Sequence, residues 1–188
     1  MVYIDEEPAV KLDREVLLLE SVRVGTFLTD EELLELIEKS DRRRAREKAL
    51  YLLEHRAHSK RELVEKISAV CPREAAREAA EHMEEIGLVD DEAFAHQYAK
   101  ELFTYKKMGR QRVRQALFQK GIDKEIIAEV IEEYGGDSGE NALGILTRKY
   151  PLWQEDEKVK RRAIAALQRM GYSWEEIRHA LSLMEDED

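Results

Sequence analysis

The chain has 188 residues, 43% of them apolar and 38% charged, with a formal net charge of -10. That balance describes a folded unit or a short array with an ion-pair-rich surface, and it excludes disordered, fibrous and disulfide-held classes. The single cysteine, Cys71, excludes an intrachain disulfide; the acidic start and the lack of a long apolar run argue against a signal peptide and a membrane span, so the expected location is cytoplasmic.

The acid is segregated from the base. Residues 41–120 carry 18 Lys and Arg against 14 Asp and Glu, and residues 158–169 carry 5 basic side chains and no acid. Residues 1–40, 121–157 and 170–188 are acidic in excess. Two basic zones in an acidic chain keep an anionic partner in consideration despite the overall charge.

In chain order, Val2-Tyr3-Ile4 and Ala9-Val10-Lys11-Leu12 flank Asp5-Glu6-Glu7-Pro8 as a candidate hairpin, and Val16 to Leu19 reads as strand or helix. Thr29-Asp30-Glu31-Glu32 is a capping box that launches a helix to about Lys39. Residues 1–40 are therefore expected to be an acidic N-terminal appendage. A first three-helix repeat is expected over 41–88. It opens with a helix from Asp41 to about Glu54 that turns Ala45, Leu50, Leu52 and Leu53 inward and carries Arg42, Arg43 and Arg44 at its start, against the helix dipole. Ser59 and Glu62 cap its second helix, and Pro72 suits the first turn of its third.

The second repeat is expected over 89–136. Asp90 is its N-cap, Val89 and Phe94 its staple, and Phe94, Tyr98, Leu102 and Tyr105 recur at helical spacing as a core stripe. Its middle helix lies between Gly109 and Gly121. Val113, Ala116 and Leu117 form a narrow apolar stripe, Arg110 and Arg114 line one flank, and Arg112 lies across the helix. The third repeat, 137–188, places Leu143, Ile145 and Leu146 inward, then a loop at Pro151, a basic helix from Lys158 and a last helix capped by Ser173 and Glu176. Leu167 and Gly171 stand fifty positions after Leu117 and Gly121, and Ile67 stands fifty before Leu117, which marks an internal repeat. The expected fold is all-α: tandem three-helix repeats in an elongated curved array, with the small N-terminal appendage and its candidate hairpin.

No phosphate loop, dinucleotide fingerprint, zinc-protease motif or nucleophile elbow occurs, which argues against an enzyme. His55, His58, Cys71 and His82 fit no recurrent zinc spacing, so neither metal nor cofactor is expected, and Cys71 is expected to pack. What remains is a basic constellation: Arg42, Arg43 and Arg44; Lys60 and Arg61; Lys106, Lys107, Arg110, Arg112, Arg114 and Lys120; Lys158, Lys160, Arg161 and Arg162. Arginine's planar fork suits carboxylate and phosphate alike, so a DNA backbone, an acidic protein surface and plain solvated helix faces all fit these residues.

Gly87-Leu88-Val89-Asp90-Asp91-Glu92-Ala93-Phe94-Ala95, followed by Gly109-Arg110-Gln111-Arg112-Val113 and Lys120-Gly121-Ile122, resembles the RecX family of bacterial recombination regulators. Arg148-Lys149-Tyr150 and Arg169-Met170-Gly171-Tyr172-Ser173 are similar to its third repeat. The resemblance spans about residues 41 to 184. It departs from the family at Cys71-Pro72, where a glycine-aromatic turn is usual, and at Ala93, where a basic residue is frequent. It implies a non-enzymatic regulator, usually an inhibitor, that lodges in the groove of a RecA-type recombinase filament on DNA and lowers its ATP hydrolysis and strand exchange. The expected partners are that filament and single- or double-stranded DNA, with a monomer as the default state. The competing readings are a helix-turn-helix-like DNA-binding module without a recombinase partner, which predicts steeply salt-dependent binding to naked DNA, and a purely structural scaffold.

Overall fold

The computed structural model describes residues 2–4 and 7–183, and the chain divides into two compact units, Met1–Asp90 and Asp91–Asp188. The first unit begins with an antiparallel ribbon of β1 (Val2–Ile4) and β2 (Glu7–Val10), in which Val2 pairs with Val10 and Ile4 with Glu7. The expected second strand is thus displaced: Glu7 and Pro8 belong to it, and Lys11 and Leu12 do not. Pro8 lacks an N–H, which a two-stranded ribbon tolerates because each strand has a free edge. Asp5 and Glu6 of the expected turn lie outside the described residues.

Val16 to Leu19 is helical. It forms part of α1 (Arg14–Leu19), whose first turn is capped by Asp13 Oδ1 accepting from the Glu15 N–H at 2.8 Å. The next helix corrects the sequence reading. Instead of one helix ending near Lys39 and another starting at Asp41, a single 26-residue helix, α2 (Asp30–His55), runs through both. Its N-terminus is the expected capping box, with the Glu32 N–H donating to Thr29 Oγ1 at 3.2 Å and the Thr29 N–H to Glu32 Oε2 at 2.8 Å. Ser40 is the only break signal between them, and its buried hydroxyl instead accepts from the Asp13 N–H at 2.7 Å. A serine satisfied from outside the helix has no reason to compete with the helix backbone. Arg42, Arg43 and Arg44 therefore sit mid-helix, where the opposing-dipole argument does not apply.

α3 (Lys60–Ile67) and α4 (Arg73–Glu85) complete a three-helix core with α2, built on Ala45, Ala49, Leu63, Ile67, Ala76, Ala80 and Met83. Four of those seven are alanines, which let the backbones approach closely. Leu50, expected inward, is 47% exposed; Ala49 takes the inward position. Cys71 packs half-buried against this core, and burial pushes its thiol pKa up.

The second unit contains two further three-helix sets. α5 (Asp91–Thr104), α6 (Arg110–Gln119) and α7 (Lys124–Tyr134) close around Ala95, Ala99, Leu102, Val113, Leu117, Ile127 and Val130. α8 (Ser138–Lys149), α9 (Glu157–Arg169) and α10 (Trp174–Ser182) close around Leu146, Trp153, Ala163, Leu167, Tyr172 and Ile177. The fold is tandem three-helix domains. Gly121 (φ 83) and Gly171 (φ 91) make equivalent left-handed turns after α6 and α9, so the fifty-residue spacing is a repeat of geometry as well as of letters. Val89 and Phe94, expected to staple one helix start, are buried in different cores, Val89 with the first set and Phe94 with the second.

Candidate partner interface

The basic constellation divides by surroundings. In the first unit the members of this constellation are met by the chain's own acids, whereas Arg14, Arg23, Arg46 and Arg73 make no ion pair among the described residues. Arg42 Nε lies 2.8 Å from Glu78 Oε2, and Arg44 Nη1 3.2 Å from Asp41 Oδ1. Arg43 is met by Asp13 at 3.2 Å, by Glu47 at 3.0 Å and by Glu15. Lys60 Nζ is 2.6 Å from Glu84, and Arg61 pairs with Glu65 one helical turn away at 3.1 Å. The N-terminal segment is thus tied to α2 through Val16, which is buried, and through the carboxylates of Asp13, Glu15 and Glu20, the last 2.8 Å from Lys39. Its acidity has a local destination.

A similar arrangement, invisible in the sequence, occurs at Arg56. Its two guanidinium nitrogens reach Glu62 at 3.2 and 2.7 Å, a bidentate pair whose carboxylate is nearly buried at the start of α3. Beside it His58 is buried, with Nδ1 2.9 Å from the Arg56 carbonyl, and burial lowers its pKa. A neutral imidazole donating to that carbonyl fits both facts. His55 meets the Tyr51 carbonyl at 2.7 Å and His82 lies 3.7 Å from Glu85. Among the described residues no three His, Cys, Asp or Glu side chains gather as a metal site.

In the second unit most basic side chains have no acid to meet. The Arg112 guanidinium donates to the neutral Gln115 Oε1 at 3.2 Å, and Arg112, Arg114, Lys107, Lys158, Lys160 and Arg162 make no ion pair among the described residues. Arg161 keeps a loose, exposed contact with Glu157 at 3.4 Å, and Lys106 pairs with Glu101 at 2.8 Å. Lys120 caps α6 and is half-buried. Arg110 differs from its neighbours. Its Nη2 donates to the Gly136 carbonyl at 3.2 Å, Nη1 lies 3.5 Å from Glu132, and a Cβ on Gly135 would come within 2.9 Å of its Nε. Arg110 therefore ties α6 to the carbonyl-rich end of α7, where a cation is favoured.

The start of α6 is positioned by the turn after α9. Gly109 and Gly171 are buried against each other, and a Cβ on Gly109 would stand 2.4 Å from the Gly171 carbonyl carbon. The Gly109 N–H donates to Met170 O at 2.9 Å and the Gln111 N–H to Gly171 O at 3.2 Å. The donor-rich start of one helix thus meets the acceptor-rich end of another, which offsets the unfavourable placing of arginines at a helix N-terminus. A Cβ on Gly171 would in turn come within 2.4 Å of the Arg112 Cβ. Arg112 is seated on the turn and its head group points outward, exposed. Farther along α6, Arg114 borders a groove of about 610 Å³ floored by Phe118, Ile127 and Ala128, with Lys124 on its other side.

Three residues outside the sequence-derived set stand near these cations. Tyr105, expected in the core stripe, is 79% exposed, and Arg148 and Lys149 end α8 without an ion-pair partner among the described residues. Helical spacing alone could not place Tyr105, because α5 ends at Thr104 and the stripe's geometry ends with it.

The second three-helix domain of RecX matches residues 90–131 and the third matches 137–181. The regulatory protein RecX of Chlorobium phaeobacteroides (strain BS1) is 33% identical over 144 residues, covering 76% of this chain and 94% of that protein. This chain belongs to the RecX family. RecX of Stenotrophomonas maltophilia (strain R551-3) is 34% identical over 136 residues, 71% of this chain and 83% of that one. A crystal structure of regulatory protein RecX superposes with a TM-score of 0.69 at 19% identity, over 96% of this chain and 91% of that chain. RecX from Lactobacillus salivarius gives 0.65 at 18%, over 77% and 97%. At those identities the superpositions speak to the fold. The family assignment makes the protein one of a group named as regulators, and among its described residues no helix is long and apolar enough to cross a membrane.

Proposed function

We propose that this RecX-family protein binds a RecA-type recombinase filament on DNA and restrains its ATP hydrolysis and strand exchange, using the unpaired cations of the second unit as its principal contacts. The observation that carries this reading is the contrast on α6. Arg112 and Arg114 project without an acidic partner from a helix whose start is locked by the Gly109–Gly171 contact. A helix whose start is already held needs no backbone ordering on binding, and both carboxylate-rich protein surfaces and phosphates accept its arginines. Lys158, Lys160 and Arg162 lie in the first turns of α9, at the opposite end of that helix from the turn that meets α6, and form a second, separate group of cations. Arg42, Arg43 and Arg44 take part only by exchanging their internal partners, so they contribute less. The protein acts by occupancy rather than by catalysis.

The test is DNA-dependent ATP hydrolysis by the cognate recombinase, assembled on single-stranded DNA at physiological salt and titrated with this protein from well below stoichiometric amounts. Hydrolysis should fall at substoichiometric doses, and the variant Arg112→Glu/Arg114→Glu should need far more protein for the same effect. Arg110 is spared because it ties α6 to α7. An unchanged ATPase in the presence of tight binding to naked DNA would replace this reading with the DNA-binding module.

A further inference from the structure

We propose that the cleft between the α5–α6 loop and α8 is a binding site for a single strand of nucleic acid, with phosphodiesters on Lys107, Arg148 and Lys149 and a base stacked on Tyr105. The cleft has a volume of about 340 Å³ and lies wholly within the second unit.

Four observations converge on it. Lys107, Arg148 and Lys149 line it and make no ion pair among the described residues, whereas Lys106 beside them is neutralised by Glu101 at 2.8 Å. Glu140 is the one acid on the rim, leaving the lining cationic in balance. Tyr105 is 79% exposed at the cleft's edge, an aromatic face with no internal role. Cations that follow a backbone, together with an aromatic platform, are how sequence-tolerant single-strand sites are built.

The loop is also fixed. Lys107 is held at φ 51, a left-handed conformation that lysine rarely adopts, and its carbonyl accepts from the buried Tyr172 hydroxyl at 3.0 Å. The Met108 N–H closes the loop onto Leu102 O at 3.0 Å.

The fourth observation is Gly144. It stands in the middle of α8, exposed, and a Cβ built on it would meet nothing within 4 Å. A helix-interior glycine is unfavourable relative to alanine, and no neighbour in the fold requires it. Its missing side chain does open the cleft floor, one turn before Arg148 on the same helix face, so that a ligand can approach the helix backbone. The cations of Arg148 and Lys149 would also suit the end of any helix, but helix-end electrostatics explain neither Gly144 nor Tyr105.

This site is separate from the α6 arginines and is tested on the full chain with no recombinase present, so its failure and that of the filament reading are distinguishable. The probe is a fluorescently labelled oligothymidylate of about 15 nucleotides, followed by anisotropy across a salt series. Arg148→Gln/Lys149→Gln should weaken binding about tenfold or more and reduce the salt slope by about 1.4, at roughly 0.7 for each single-strand phosphate that is no longer neutralised. Tyr105→Ala should weaken it about tenfold with the slope unchanged, and Tyr105→Phe should restore it, because stacking needs the ring and not the hydroxyl. Gly144→Leu should raise helix stability and abolish binding by filling the cleft. Wild-type affinity in these variants would overturn the proposal, as would no binding by the parent chain at low salt. Equal competition by polyglutamate would also overturn it, assigning the cleft to an acidic protein surface.

Discussion

Arg43 on α2 and Arg112 on α6 are the same residue type on helices of two different three-helix domains, and they live in opposite electrostatic surroundings. Arg43 is enclosed on three sides by Asp13, Glu15 and Glu47; Arg112 faces outward with only a glutamine beside it. The difference shows what the acidic N-terminal segment does. Its carboxylates meet Lys39 and Arg43 of α2, while Arg42 and Arg44 are met by Glu38, Glu78 and Asp41; most of the outward cations singled out from the sequence in the second unit, Arg112 and Arg114 among them, have no such partner among the described residues. An acidic chain can in this way carry cations that face outward without an acid beside them, because acid and base are segregated along it.

The comparison is broken or sharpened most strongly by charge reversal on α6. Arg112→Glu/Arg114→Glu should raise the dose needed for half inhibition of recombinase ATP hydrolysis by about tenfold or more, the range expected when exposed charges at a complementary interface change sign. Far-ultraviolet circular dichroism should be unaltered, since neither guanidinium supports another element. The converse change is Arg43→Ala. It removes the cation shared by three carboxylates and should lower the unfolding free energy by about 1–2 kcal/mol in denaturant titration, discounted for the partial exposure of the group. Its inhibition curve should match the parent's. If Arg43→Ala instead lost inhibition at full stability, the division between inward and outward cations would fail.

Much of this fold is legible in the residues. The Thr29–Glu32 and Ser173–Glu176 capping boxes form at the positions their residue types indicate, and the left-handed turns at Gly121 and Gly171 mark the same point in successive repeats. Several of the misreadings share a cause. Ser40 reads as a boundary because local pattern cannot reveal that its hydroxyl is engaged by the Asp13 N–H, 27 positions away. The same blindness hides the partner Asp13 of Arg43 and the reason for Gly109, whereas Tyr105 is misplaced because α5 ends one residue before it. That glycine has φ -73, which any residue adopts, and what excludes a side chain there is the backbone of Gly171, 62 positions on. Charge type can be read from a sequence; whether a charge already has a partner depends on long-range contacts.

Smaller effects calibrate the account. Tyr172→Phe deletes the hydroxyl that holds the Lys107 carbonyl and should cost about 1 kcal/mol of stability. The same hydroxyl gives an alkaline signature. Burial pushes the Tyr172 pKa up to about 12 from 10.0. The folded state therefore retains a proton that the unfolded chain releases, and the stabilisation present below pH 10 is lost as pH rises toward 12. Stability against pH over that window should be flatter in Tyr172→Phe. Smallest of all, Arg61→Ala removes one exposed pair with Glu65 and should change stability by less than about 0.5 kcal/mol in the same titration, with inhibition unaffected.

The central claim, that outward cations of the second unit and not the satisfied arginines of α2 carry partner binding, is tested most directly in one ATPase titration. Parent protein, Arg42→Gln/Arg44→Gln and Arg112→Gln/Arg114→Gln are added in parallel to recombinase assembled on single-stranded DNA at physiological salt. The account predicts that the α2 variant follows the parent curve while the α6 variant is displaced to about tenfold higher dose. Equal displacement of both variants, or displacement of the α2 variant alone, would contradict it.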